Sequence, residues 1–343
     1  MGTRRRRVSV IYFISKLIKW DDLYMQTISD CSVAAIQIAA KSLKDGHLVA
    51  FPTETVYGLG ADATNEKAVS KIYSVKARPA DHPLIVHISS WSQVEKWARD
   101  IPEYAKKLSD MYWPGPITLV LRRSHLAKDF VTGGQNTVGL RVPDQKIALM
   151  LAKEFEKIGG LGIAAPSANK FGAVSPTTAE AVVDEIGTAL GKLDLILDDG
   201  QCKVGVESTI VDCTRNKPSI LRPGAVTSEM IEETLNIKIS QGAIDINIRV
   251  SGLLKSHYAP MAKVALDESA QPGDGLIALA NIPTPVGVIR LASPINHEEY
   301  ANVLFRALRL GDQKGLKKIV VFQPEGSGLA LAIRDRLAKA ASG

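Results

Sequence analysis

Long apolar runs are missing from this sequence of 343 residues, and no stretch approaches the roughly 20 residues of a membrane-spanning helix. Repeats, low-complexity tracts and heptads are missing too. Cysteine is scarce: Cys31, Cys202 and Cys213 form no C-x-x-C pair and are odd in number. That argues against a disulfide framework or a cysteine-rich zinc site, and suits a reducing cytoplasm. The three read as small buried hydrophobes. His82 and His87 stand five residues apart with no cysteine pair nearby, so no protein-held metal is expected. The glycine-rich nucleotide loops are also absent. No G-x-x-x-x-G-K-S/T sequence occurs, and the stretch Gly58–Ala63 lacks the third glycine of a dinucleotide fingerprint. A nucleotide, if one is used, needs another kind of cradle.

Excess charge is little present outside one end. The formal charge is +6, yet residues 1–24 hold six Lys or Arg against two Asp, leaving the rest nearly balanced. A globally basic nucleic-acid binder is therefore not indicated. The basic, apolar stretch Arg4–Trp20 has only a short apolar core, Val8–Ile14, with no small-residue cleavage site after it. Residues 1–25 read as an appended extension outside the fold. With 45% hydrophobic and 23% charged residues, the remainder is ordinary globular material for a large domain and a small one.

Apolar periodicity predicts alternating helices and strands over residues 26–240. Helices are expected near 32–44, from Asn65 as cap, twice between Trp91 and Met111, after Asp144, from a capping box at Thr177 and Glu180, and over 228–236. Strands are expected at 48–51, 83–88, 117–121, 137–142, 193–197 and 209–212. This is a layered α/β pattern. Residues 241–261 lose the periodicity and read as a linker. From residue 262 on, strands at 287–291 and 318–322 alternate with two helices, a small second α/β domain.

Chemistry-bearing residues cluster at element ends. Lys76-Ala-Arg78-Pro79 places two cations two residues apart; on an extended backbone both point one way and grip a phosphate or carboxylate, and otherwise they are a solvated basic pair at a helix C-terminus. Arg141 shares a strand face with Thr137: it meets either solvent or an anionic partner in a cavity. Ser167 and Asn169 lie just past a strand end, where α/β folds bind ligands. Ser175 precedes a helix N-terminus able to receive phosphate, although a plain turn and cap explain the same residues. Ser208, Arg222 and Tyr258 sit in further polar insertions, the last within His257–Pro260.

Taken together, the stretches Phe51–Gly60 (FPTETVYGLG), Lys76–Pro79 (KARP), Pro83–His87 (PLIVH), Trp113–Pro116 (WPGP), Val138–Pro143 (VGLRVP), Ala165–Asn169 (APSAN), Glu207–Thr209 (EST) and Leu221–Gly224 (LRPG) resemble the threonylcarbamoyl-AMP synthase (YrdC-like) family. The tail and its His257–Pro260 element (HYAP) resemble the family's long, two-domain form. The resemblance implies a twisted open mixed sheet with a large concave positive cavity, plus a small C-terminal Rossmann-like α/β domain. It implies L-threonine, bicarbonate and ATP as substrates, with Mg2+ on the phosphates. Thr55, His87, Thr137, Arg141 and Ser208 would hold threonine. Arg78, His82, Ser167, Asn169, Ser175, Arg222 and Tyr258 would surround ATP, with Lys76 and Arg78 catalytic and Tyr258 on a lid. His82 departs from the family, which more often has Asn there. A downstream threonylcarbamoyl transferase acting on tRNA is the implied recipient; direct contact with tRNA has little support in the sequence. A competing reading makes the same cavity an RNA-binding module without adenylation. The near-neutral folded part and the absence of an aromatic RNA-binding motif weigh against it.

Overall fold

The computed structural model describes residues 26–28, 31–239, 248–252 and 257–343. The extension assigned to residues 1–25, and parts 241–247 and 253–256 of the linker, lie outside the described residues. In chain order the elements begin β1 (Gln26–Ile28), α1 (Val33–Lys44), β2 (Val49–Phe51), β3 (Gly58–Asp62), α2 (Glu66–Lys76), β4 (Ile85–His87), α3 (Val94–Trp97) and β5 (Ala98–Arg99). Next come α4 (Glu103–Tyr112), β6 (Ile117–Arg123), α5 (Asp129–Thr132), β7 (Thr137–Arg141), α6 (Lys146–Lys157) and β8 (Ile163–Ala164). The larger unit ends with α7 (Ala179–Ile186), β9 (Leu195–Leu197), β10 (Thr209–Asp212), β11 (Ser219–Arg222) and α8 (Ser228–Leu235). A smaller unit holds β12 (Lys263–Leu266), β13 (Gly275–Ile277), β14 (Ile289–Ala292), α9 (His297–Gln313), β15 (Lys318–Val321) and α10 (Leu329–Ala341).

Local signals locate most helices. Ser32 and Asn65 accept the Ala35 and Ala68 N–H groups at the heads of α1 and α2. Two expected caps move by one residue. Gln145, not Asp144, receives the Ala148 N–H of α6. Thr178, not Thr177, receives the Ala181 N–H of α7, while the Thr177 carbonyl is taken by the Cys202 N–H.

The larger sheet is twisted and mixed, in the order β1-β9-β2-β3-β8-β4-β7-β6-β10-β11, with β5 on β6. Pairs β1–β9, β2–β9, β4–β7 and β6–β10 are parallel and the others antiparallel. The smaller sheet, β12-β15-β13-β14, is parallel throughout. Sequence periodicity passes over β1, β3, β5, β11, β12 and β13. In β3 the reason is plain: all five residues are buried and two are glycine, so there is no alternation to read.

Register then assembles the site. His87 lies beside Arg141 on β7 and beside Ile163 on β8, and β3 carries the preceding loop 52–57 against the turn after β8. Strand ends β2, β4, β7, β8 and β11, with the entry to β10, converge on one cavity. Gly60 keeps β2, β3 and β8 close: a Cβ there would stand 2.8 Å from both Phe51 Cε1 and Ile163 Cγ2. Gly60→Ala is therefore expected to destabilise the fold by about 1–3 kcal/mol through overpacking. An unchanged midpoint in chemical denaturation would show that the sheet spreads there without cost.

Candidate functional site

The loop after β2 begins the cavity. The Thr53 hydroxyl donates to the Val56 carbonyl at 2.6 Å and accepts the N–H groups of Thr55 and Val56, both at 3.2 Å. This tight turn aims Thr55 inward. Arg141 reaches it from the end of β7: Nη2 donates to Thr55 Oγ1 at 3.0 Å and pairs with Glu54 Oε1 at 2.7 Å. Beside it, burial and then the Arg141 charge push the His87 imidazole down to about 3, so the ring is neutral. Opposite, the Ser208 hydroxyl meets Thr118 Oγ1 at 2.8 Å. This end offers hydroxyls, a neutral imidazole and one guanidinium, a set that fits a small hydroxylated amino acid.

The other end is more cationic. Helix α2 closes at Ala77, which is left-handed (φ 49°). The backbone is thus not extended through Lys76–Arg78, and the two cations part. Lys76 turns inward, 1% exposed, and donates to the Ser167 and Asn169 carbonyls. Burial, then the Arg78 charge, lowers its pKa. Arg78 turns into the cavity, donating to the Pro83 carbonyl at 3.0 Å and Ser251 Oγ at 3.2 Å. Arg222 enters from β11, donating through Nε and Nη2 to the Ser208 carbonyl at 3.1 and 2.9 Å, and through Nη1 to the Ser251 carbonyl at 3.0 Å. Among the described residues neither Arg78 nor Arg222 forms an ion pair.

The space between these walls is about 540 Å3 when the open solvent at its mouth is counted, and the part able to seat water-sized groups is about 50 Å3. Of the residues expected from sequence, Thr55, Arg78, His87, Arg141, Ser167, Ser208, Arg222 and Tyr258 line it together. The remaining five do not. Lys76 and Asn169 stand behind the Ser167 turn, and Ser175, fully buried, donates to Glu207 Oε1 at 2.6 Å. His82 packs edge-on to Phe171, whose ring also meets the Arg78 guanidinium. Thr137 lines an adjoining groove with Thr118, Gln135 and Arg249. Its alternation with Arg141 is real, but the two stand at opposite ends of β7, with three residues of strand between them.

Tyr258 is 1% exposed at a positive φ of 62°, with its ring stacked on Phe305 of α9 and under the Arg336 guanidinium of α10. Burial, then Glu207, raises its hydroxyl to about 12. Gly252 lies against it: a Cβ there would come 2.4 Å from the Tyr258 hydroxyl. Sequence reasoning did not find Glu54, Ser251, Gly252 or Arg336 as contributors. Glu54 adjoins Thr55 within the Phe51–Gly60 motif, so its polarity is a usable signal; Arg336 sits in an amphipathic helix and carries none. Several buried polar atoms facing this region find no partner among the described residues: Arg78 Nε, Arg141 Nε, His87 Nδ1 and the Tyr258 hydroxyl. Convergent, unsatisfied donors of this kind mark a ligand site.

Comparisons agree with that geometry. A family model described as "Telomere recombination" (Sua5, YciO and YrdC) matches residues 41–224, and one described as "Threonylcarbamoyl-AMP synthase, C-terminal domain" matches residues 226–342. The threonylcarbamoyl-AMP synthase of Pyrococcus abyssi is 42% identical over 324 residues, covering 89% of this chain and 93% of its own length. That of Bacillus subtilis is 39% identical over 326 residues, covering 89% and 92%. The crystal structure of P. abyssi Sua5 complexed with L-threonine superposes with a TM-score of 0.81 at 39% identity, covering 92% of this chain and 97% of that one.

The buried, neutral His87 makes a prediction about acid. An unfolded chain takes up this proton near pH 6.5, the native one only near 3. Native stability from this group is therefore whole above pH 6.5 and is lost as pH falls toward 3. The stability lost between pH 7.5 and 5 is expected to be smaller by about 2 kcal/mol in His87→Gln than in the unaltered protein. Parallel pH curves from denaturant titrations would contradict the assignment.

Proposed function

Because the chain belongs to the two-domain Sua5 family of threonylcarbamoyl-AMP synthases, we propose that it makes threonylcarbamoyl-AMP and pyrophosphate from L-threonine, bicarbonate and ATP for the threonylcarbamoyl-adenosine modification of tRNA. The observation that carries this reading is the division of one cavity into an Arg141–Thr55–His87 end and an Arg78–Arg222 end without ion-pair partners among the described residues. The first suits the carboxylate and hydroxyl of threonine. The second suits a triphosphate.

The chemistry then needs little beyond placement and charge. Attack of the threonine amine on the bicarbonate carbon, with loss of water, gives a carbamate. A carbamate oxygen then bonds to the α-phosphorus as the bond to the β-phosphate bridge breaks, and pyrophosphate leaves with that electron pair. Both partners are anionic, so fixed guanidiniums lower the barrier to their approach. The neutral imidazole of His87 contributes hydrogen bonding and no further charge. Thr55 and Ser208 supply the hydroxyl partners that distinguish threonine from an amino acid lacking its hydroxyl. We read Lys76 and Asn169 as shaping the Ser167 turn, and Ser175 as holding Glu207; His82 and Thr137 we keep at the margins of the nucleotide and threonine sites.

Mg2+ fits as a passenger of the triphosphate. Among the described residues no group of three His, Cys, Asp or Glu is placed to hold a metal; Glu207 in the cavity and Glu54 beside it already pair with Arg336 and Arg141. Phosphate oxygens and water are the natural ligands there. We further read residues 26–240 as the catalytic domain, 241–261 as a linker carrying the Tyr258 lid and 262–343 as the domain that anchors it, with 1–25 an extension. Cys202 and Cys213, buried thiols outside any disulfide, suit the cytoplasm, where a transferase acting on tRNA would consume the adenylate. No helix among the described residues is long and apolar enough to cross a membrane.

Pyrophosphate release should depend on threonine and bicarbonate together, with a threonylcarbamoyl-adenylate mass in the nucleotide product. Release with serine alone would change the substrate; salt-sensitive RNA binding without release would favour the RNA-binding module. Arg78→Ala is expected to fold and to lose adenylate formation, and unaltered turnover in that variant would remove Arg78 from the site.

A further inference from the structure

Arg336 belongs to the second domain by sequence and to the cavity by contact. It lies on α10, fully buried, with Nε donating to Glu207 Oε2 at 2.8 Å and Nη2 to the Pro223 carbonyl at 2.9 Å. Its Nη1 pairs with Asp335 at 2.6 Å. Glu207 immediately precedes Ser208, and Pro223 immediately follows Arg222, so one guanidinium ties together the two segments that deliver those residues. The other Glu207 oxygen accepts the Ser175 hydroxyl.

A carboxylate in this position is a liability for a site that must take a polyanion. Glu207 lines the cavity and is 7% exposed. Deprived of Arg336, it has Arg222 as its next strong cationic influence. Burial pushes its pKa up, and the charges of Arg336 and then Arg222, with the Ser175 hydroxyl, hold it down at about 2. An ionised Glu207 without Arg336 would draw Arg222 toward itself and away from an incoming phosphate. Domain docking does not account for the residue: Arg309 pairs with Glu185 at 2.9 Å and bonds the Val174 carbonyl, and Asn302 donates to the carbonyls of Cys202 and Lys203.

We propose that Arg336 is a positioning residue supplied by the second domain, which neutralises Glu207 and so leaves Arg222 to face the ATP phosphates. This rests on the function proposed above. The second domain thereby becomes part of the nucleotide site's electrostatics and not only an anchor for the linker.

The test compares the full-length protein with Arg336→Met, Glu207→Gln and the double variant, following pyrophosphate release at varied ATP and varied threonine. Arg336→Met is expected to raise KM for ATP about tenfold, leaving a buried carboxylate beside the phosphates without its ion-pair partner, with KM for threonine changed less than about twofold. The double variant is expected to return KM for ATP to within about threefold of the unaltered protein, because no lone charge remains. A loosened domain would gain nothing from Glu207→Gln, so a double variant no better than Arg336→Met overturns the proposal. Equal damage to both substrates also overturns it. If Arg336→Met does not fold, the double variant decides alone: a KM for ATP near that of the unaltered protein supports the inference, and one raised about tenfold sinks it. An unaltered protein that releases no pyrophosphate would refute the proposed function itself, whereas an active one indifferent to Arg336→Met refutes only this inference.

Discussion

The cavity and the wall behind it depend on burying cations that outnumber the carboxylates beside them. Lys76, Arg78, Arg141 and Arg222 are each less than 8% exposed, and an unpaired buried charge is costly unless its protons are bonded. Backbone carbonyls meet most of that need. Ser167 and Asn169 hold Lys76, Pro83 holds Arg78, and Ser208 with Ser251 holds Arg222. Among the described residues only Arg141 of these four is paired with a carboxylate, Glu54. A neutral carbonyl can satisfy a guanidinium without cancelling its charge. The loops therefore turn their carbonyls inward, and a positive field survives inside a folded, desolvated wall.

That arrangement explains which parts of the site were legible in the sequence. Residue types at strand ends were readable: Thr55, His87, Arg141, Ser208 and Arg222 are polar interruptions of apolar runs, and strand register brings them together. The partition of Lys76 from Arg78 was not readable. It is set by the left-handed Ala77, a conformation for which alanine has no special preference and which two-residue spacing cannot reveal. The β3 strand escaped for another reason. Burial on both faces erases the alternation that marks a strand, and glycine there serves close packing against Phe51 and Ile163. The starts of helices with a side-chain cap and an apolar stripe were legible to within a residue, since both signals are local.

Contacts between the two sheets were beyond the sequence because they join residues far apart in the chain. Nothing around Arg336 distinguishes it from a surface arginine on an amphipathic helix, yet it is fully buried against Glu207, 129 residues away. Tyr258 is similar. Its motif is visible in the sequence, but its positive φ is imposed by partners on both sides: Phe305 and Arg336 from the second domain, Gly252 from the linker. A non-glycine residue keeps such a backbone only where its surroundings over-determine it.

The donors of Arg78 and Arg222 that now reach Ser251 bear directly on how a phosphate is received. Each is engaged with a neutral acceptor of the chain itself, the Ser251 hydroxyl or carbonyl. A phosphate oxygen taking the same donors forms a charge-assisted bond, stronger than the one it replaces, so the exchange runs toward the ligand. The net gain is a difference between two bonded states and not the full strength of the new bonds. Ser251 thus keeps the guanidiniums satisfied without a nucleotide and lowers the affinity for one by the same amount. A carboxylate in its place would satisfy them equally well and would leave no field for the triphosphate. That is why the neutrality of the linker at this point matters as much as the charge of the arginines it touches.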